Sequence, residues 1–241
     1  MSCKMKTYLL FFLFAMPASL YAQAEDIAAE SEPFHEVLKE KFIEGNPIFM
    51  SFVAITLIIG LTFCIERIIY LSLADINTKK LLAALEKKVL EGKKDEAIDM
   101  CRNTRGPVAS ICLQGLYHSD ENPEDIDRTI ASFADMEVGK LENGCTWITL
   151  FIAIAPSLGF LGTVIGMVMA FDDIEVSGDI SPTIVAGGMK VALITTIFGI
   201  IAAVILQLFY NFILSRIEHL TSQMEQASID LMEIIRKAKN Q

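Results

Sequence analysis

The chain has 241 residues, of which 53% are hydrophobic and 21% charged, and its net charge is −10. The acidic balance argues against nucleic acid as a partner, which needs a basic face. The apolar residues are concentrated in blocks, which excludes a single water-soluble domain as the reading.

The first block opens the chain. Lys4 and Lys6 precede the apolar run TYLLFFLFAMPASL, and Ala22-Gln23-Ala24 follows as a small-x-small cleavage site. This predicts an export signal over 1–24, with a short uncleaved anchor as the other reading. Residues 25–46 are acidic, with helical spacing around Phe34, Val37, Leu38 and Phe42. They are expected to form a periplasmic amphipathic segment lying on the outer face of the membrane that the spans cross, which Gly45-Asn46-Pro47 breaks. The run Ile48–Ile65 is expected as the first span, within 47–70, closing at the charge pair Glu66-Arg67.

Residues 71–144 read as helices throughout. Leu81, Leu82, Leu85, Val89 and Leu90 recur at three- and four-residue steps, and Gly92 stops them. A second helix is expected over Lys93–Arg102. Gly106-Pro107 opens a third over Val108–Tyr117, and Asn122-Pro123 a fourth with Ile126, Ile130, Phe133 and Met136 as its apolar stripe. The fourth is expected to run unbroken into the second span, 145–171, with Gly139 and Gly144 as weak points. A loop, 172–188, precedes the third span, 189–214, and the stripe Ile217, Leu220, Met224, Ala227 and Leu231 continues that helix through the tail, 215–241. The expected fold is therefore all-α and membrane-embedded. It has three transmembrane helices, the second and third extending into a helical cytoplasmic domain.

Charge sets the expected orientation. Ala74–Asn143 carries ten Lys or Arg, whereas Asp172–Gly187 carries none and has Asp172, Asp173, Glu175 and Asp179. By the positive-inside rule the N-terminus lies outside and the C-terminus in the cytoplasm. Cys3, Cys64, Cys101, Cys112 and Cys145 form no C-x-x-C pair, so they are read as apolar filler rather than disulfides or metal ligands. His35, His118 and His219 are scattered outside the spans, and no nucleophile–base set or phosphate loop stands beside them, so no enzymatic activity and no cofactor are expected.

The second span contains APSLGFLGTVIG, Ala155–Gly166, unusually small and polar for a lipid-crossing segment. On a helix, Gly159, Thr163, Gly166 and Ala170 share a face, and so do Ala192, Thr196, Gly199 and Ala203 of the third span, with Gly188 above them. Close helix packing explains one such stripe. Two stripes centred on threonine point to a shared space filled by another helix or by water. Cys145–Phe171 and Val191–Leu214 hold no Asp, Glu, His, Lys or Arg. Ion pathways through membranes usually need such groups, so a titrating carboxylate would have to come from a partner. Lys190 is expected to snorkel to the outer interface.

The second-span stretch APSLGFLGTVIGMVMAF, Ala155–Phe171, and the third-span stretch GMKVALITTIFG, Gly188–Gly199, with Ala203 and Tyr210-Asn211, resemble the TolQ/ExbB/MotA family of proton-channel motor subunits, its ExbB and TolQ branch above all. The resemblance implies a homopentamer in the bacterial inner membrane. The ring would enclose an ExbD- or TolR-like single-span partner bearing a pore aspartate and would pass work to a TonB- or TolA-like protein. It implies that Thr163 and Thr196 line the proton pathway. One departure is Val191, where many ExbB-type chains carry glutamate. A non-conducting membrane scaffold is the alternative function.

Overall fold

The computed structural model describes residues 34–178 and 181–239. The expected export signal, 1–24, and the first part of the acidic segment lie outside the described residues. Eight helices, and no strand among the described residues, follow in order: α1 Phe34–Glu44, α2 Pro47–Ala74, α3 Thr78–Leu90, α4 Lys94–Asn103, α5 Pro107–Tyr117, α6 Pro123–Glu142, α7 Cys145–Ser177 and α8 Pro182–Lys239.

The ends fall where local chemistry stops or starts a helix. Asn46 turns the chain between α1 and α2 with φ 63°, and its side-chain oxygen accepts from the Ile48 N–H at 3.2 Å. Pro47, Pro107 and Pro123 each occupy the first turn of a helix, where the missing N–H has no bond to lose. Asn77 caps α3 by accepting from the Lys80 N–H.

Three helices, α2, α7 and α8, carry segments long and apolar enough to cross a membrane. They pack on one another, and the small apolar cluster Val53, Ala155 and Ala202 marks the meeting of all three. α8 is the common spine. At 58 residues it spans about 87 Å, well beyond a bilayer. Its second half leaves the apolar zone and collects α3, α5 and α6 around it. There Leu85, Ile111, Cys112, Leu116, Ile126 and Ile130 bury against Leu220, Met224, Ala227 and Leu231, continuing the core that begins at Cys64, Ile148 and Leu206. Each fully buried aliphatic side chain here contributes about 1.5–3 kcal/mol.

Two expectations are corrected. The fourth polar helix and the second span are not one rod. Asn143-Gly144 separates α6 from α7, with Gly144 at φ 86°. Only glycine takes that conformation without cost, and a Cβ there would lie 3.2 Å from the Arg67 Nε. Gly139, the other suspected weak point, sits inside α6 with open space around it. The expected loop 172–188 is also mostly helical, because α7 runs on to Ser177 and α8 begins at Pro182. An apolar run marks where lipid ends, and a hydrogen-bonded helix can continue into water past that point.

Candidate functional site

The two spans that hold the threonines are also the most extensively packed pair, α7 against α8. Their contact is built from small residues. On α7, Ala155, Gly159, Gly162, Gly166 and Ala170 are buried; on α8, Ala192, Thr195, Gly199 and Ala202 are buried. Spacings of three and four along each helix form one continuous face. A Cβ added to Gly199 would lie 2.7 Å from the Ala155 carbonyl oxygen and 3.0 Å from the Gly159 Cα. A Cβ on Gly162 would lie 2.6 Å from the Thr195 Oγ1, and one on Gly166 3.2 Å from the Ala192 Cβ. Without side chains in between, dispersion and close backbone contact hold the helices together in a medium that supplies no hydrophobic drive for their association.

This placement corrects the sequence reading in part. Of the two fillings expected for the shared space, another helix or water, Gly159, Gly166, Ala170, Ala192 and Gly199 meet the first, each lying in the seam between α7 and α8 of one chain, and Gly188 lies against Ala170 and the Gly166 carbonyl. Ala203 is half-buried and packs on the Val53–Ala155–Ala202 cluster. The axis of the stripe passes through Gly162 and Thr195, one residue away from each threonine first singled out. A step of one residue turns a helix by about 100°, which moves Thr163 and Thr196 from the centre of the seam to its edge.

At that edge the two threonines meet. Their Oγ1 atoms are 3.3 Å apart, and both side chains are partly exposed. Thr163 donates to the Phe160 carbonyl at 2.6 Å, and Thr196 lies 3.2 Å from the Gly159 carbonyl. Thr195 is the inward member of the Thr-Thr pair, 1% exposed, donating to the Ala192 carbonyl at 2.8 Å. The Gly159 carbonyl thus has three hydroxyls within reach, at 3.5 Å from Thr163, 3.4 Å from Thr195 and 3.2 Å from Thr196. A hydroxyl carries one proton and two lone pairs. With the protons of Thr163 and Thr196 directed at backbone carbonyls, their remaining lone pairs can accept a proton donor from outside the seam. Rotation about χ1 would turn either into a donor.

A second feature stands where the C-terminal end of α7 and the first turns of α8 meet α1. Lys190 does not simply reach toward solvent. Its Nζ donates to a Glu44 carboxylate oxygen at 2.6 Å, and Lys41 holds the other oxygen at 2.8 Å. The bond from Lys190, then that from Lys41, lowers the Glu44 pKa from the usual carboxylate range. Gly45 seats the same corner on α8, since a Cβ there would lie 2.8 Å from the Ile194 Cγ2. Beneath the pair, α1, α2, α7 and α8 enclose a cleft of about 540 Å³ whose lining includes Glu44, Asp173, Thr183 and Val191. Sequence reasoning missed this contact, because nothing local connects residues 146 positions apart.

Among known proteins, the sequence profile of the MotA/TolQ/ExbB proton channel family matches residues 103–226, which include both threonines. A putative biopolymer transport protein ExbB homolog of Methanothermobacter thermautotrophicus is 30% identical over 208 residues, covering 86% of this chain and 71% of its own. The biopolymer transport protein ExbB of Neisseria gonorrhoeae is 28% identical over 212 residues, 80% of this chain and 94% of its own. A putative ExbB-like biopolymer transport protein of Synechocystis is 27% identical over 186 residues, 74% of this chain and 71% of its own.

Proposed function

This chain belongs to the MotA/TolQ/ExbB proton channel family, and from that premise we propose that it is an inner-membrane energiser that couples proton flow to biopolymer transport or to a Tol-type envelope process. The observation that carries the reading is the hydroxyl pair Thr163–Thr196, 3.3 Å apart at the edge of a seam whose two helices contain no ionisable side chain across their spans. The chain brings hydrogen-bonding groups to mid-membrane but no proton-binding acid. An ExbD- or TolR-like single-span partner supplies the aspartate, and several copies of this chain, five by family likeness, surround it.

The division of labour follows from hydrogen-bond chemistry. A protonated carboxyl donates to a threonine lone pair, and an ionised one accepts from a threonine that has turned from its backbone carbonyl. The hydroxyl pair therefore stabilises the partner's acid in both states without being titrated. The small-residue seam brings the two hydroxyls within reach of each other. Each proton moved down 100 mV releases about 2.3 kcal/mol, so several steps are needed for mechanical work on a TonB- or TolA-like protein. In this reading α3–α6 and the tail of α8 lie in the cytoplasm and α1 lies outside. The positive charges of Ala74–Asn143 support that orientation.

Co-purification with the ExbD-like protein encoded beside it, followed by the mass of the intact complex, tests the assignment. A ring of this chain around an Asp-bearing single-span partner is the expected result. A stable assembly that takes up no such partner would leave the pathway without a titrating group and favour a scaffold.

A further inference from the structure

At the opposite end of the spans from Lys190 lies a second cleft, of about 390 Å³, where α2 ends and α5 begins. Tyr70, Leu73 and Ala74 of α2 form one wall. Arg105, Gly106, Pro107 and Ser110 form another, and Glu137, Lys140 and Leu141 of α6 the third. Arg105 is exposed and has no hydrogen-bond or ion-pair partner among the described residues. Lys140 donates one proton to Glu137 at 2.7 Å, leaving two N–H groups free, and neutralises the one acid in the lining. The cleft therefore keeps a net positive charge from Arg105. The first turn of α5 adds to it: its cap, Gly106, has no side chain to satisfy the leading N–H groups. Arg67, 5.0 Å from the Tyr70 ring, is already engaged by Glu66 at 2.7 and 2.8 Å.

The position of these donors matters as much as their charge. They sit where the apolar stretch of α2 stops. Ile58, Ile65, Ile69 and Leu73 lie on one face of that helix at steps of seven, four and four, and are 55–63% exposed. A mainly hydrocarbon strip, crossed only by Thr62, whose hydroxyl is turned back to the Ile58 carbonyl at 2.8 Å, thus leads to a cluster of a guanidinium, an ammonium, a tyrosine and a serine. Inorganic phosphate would use only the cluster; a phospholipid would use both parts. Basic pockets at the membrane boundary, next to interfacial tyrosine, are the sites that hold acidic headgroups.

We infer that this cleft binds the headgroup phosphate of an acidic glycerophospholipid, with an acyl chain lying along Ile58, Ile65, Ile69 and Leu73. Arg105 carries the specificity for negative charge, and Lys140 and Tyr70 fix the phosphate at the level where the span ends. The site is independent of the threonine pair and of any proton movement.

The test uses the full chain purified in mild detergent. Lipid retention is read by intact mass after exchange into phosphatidylglycerol or into phosphatidylcholine with the same acyl chains, with inorganic phosphate as competitor. Phosphatidylglycerol is expected to be retained over phosphatidylcholine. Arg105→Glu is expected to weaken that retention by roughly tenfold and Arg105→Gln by a few-fold. Arg128→Glu, the same charge change on an exposed part of α6 remote from the cleft, is expected to leave it unchanged. Equal retention of the two lipids overturns the proposal, as does indifference to both Arg105 variants. Displacement by inorganic phosphate at the concentration of the lipid also overturns it, since the cleft would then be a free-anion site.

Discussion

Gly199→Ala isolates the seam between α7 and α8. The added methyl carbon would meet the Ala155 oxygen at 2.7 Å, the Gly159 Cα at 3.0 Å and the Gly159 N at 3.2 Å. All three are backbone atoms, so no rotamer change relieves them. Carbon atoms prefer separations of about 3.5–4.0 Å, so the helices must part locally by roughly 0.5–0.8 Å. Overpacking of this kind costs about 1–3 kcal/mol. The same movement would carry the Thr163 and Thr196 hydroxyls from 3.3 Å to about 4 Å, beyond hydrogen-bond range. The expected phenotype is thus a lower thermal midpoint in detergent together with loss of coupling. Gly139→Ala is the control. No atom stands within 4 Å of its added methyl, and replacing a mid-helix glycine by alanine should stabilise by about 0.5–1 kcal/mol. Circular-dichroism melts of both variants read the difference. A Gly199→Ala protein that melts with the unmodified chain would refute the close contact on which the seam rests.

Other consequences are measurable separately. Burial pushes the Cys101 and Cys112 thiols up to about 11 and about 12, so neither should react with maleimide at pH 8 in the folded protein, and both should label in denaturant. Lys190→Glu would place a like charge against Glu44 and is expected to speed amide exchange at Ile43–Gly45 while leaving exchange in α3–α6 unchanged. The Glu44 pKa is lowered in the fold, so its contribution is fully present above the ordinary carboxylate pKa of about 4.3 and is lost as pH falls through the depressed value. Exchange at that corner should therefore be flat across neutral pH and rise only in acid.

Much of this fold could be read from punctuation in the sequence. Gly45-Asn46-Pro47, Gly92, Gly106-Pro107 and Asn122-Pro123 lie at helix boundaries because each acts locally, through a fixed φ, a positive φ or a cap. The spans were legible for the same reason, as lipid thickness demands a run of fixed length. The site was harder. Thr163 and Thr196 were visible as polar atoms in an apolar field, but the eye groups small residues around them and so places the stripe one residue away from its true axis. The better signal was the recurrence Ala155, Gly159, Gly162, Gly166, Ala170, matched by Ala192, Thr195, Gly199, Ala202. Gly144 showed as a possible break, but its role depends on Arg67 of another helix, which no local pattern contains. The Glu44–Lys190 pair likewise exists only once α1 and α8 have met.

In the function proposed above, the Thr163 and Thr196 hydroxyls, rather than the bulk of their side chains, serve the proton pathway. The direct measurement is proton flux into liposomes bearing this chain with the Asp-bearing partner proposed for it, compared for Thr163→Val, Thr196→Val, Thr163→Ser and Thr196→Ser. Normal assembly is expected in all four, with flux lost in the valine variants and kept in the serine variants. Valine variants that assemble and conduct like the unmodified protein would contradict it.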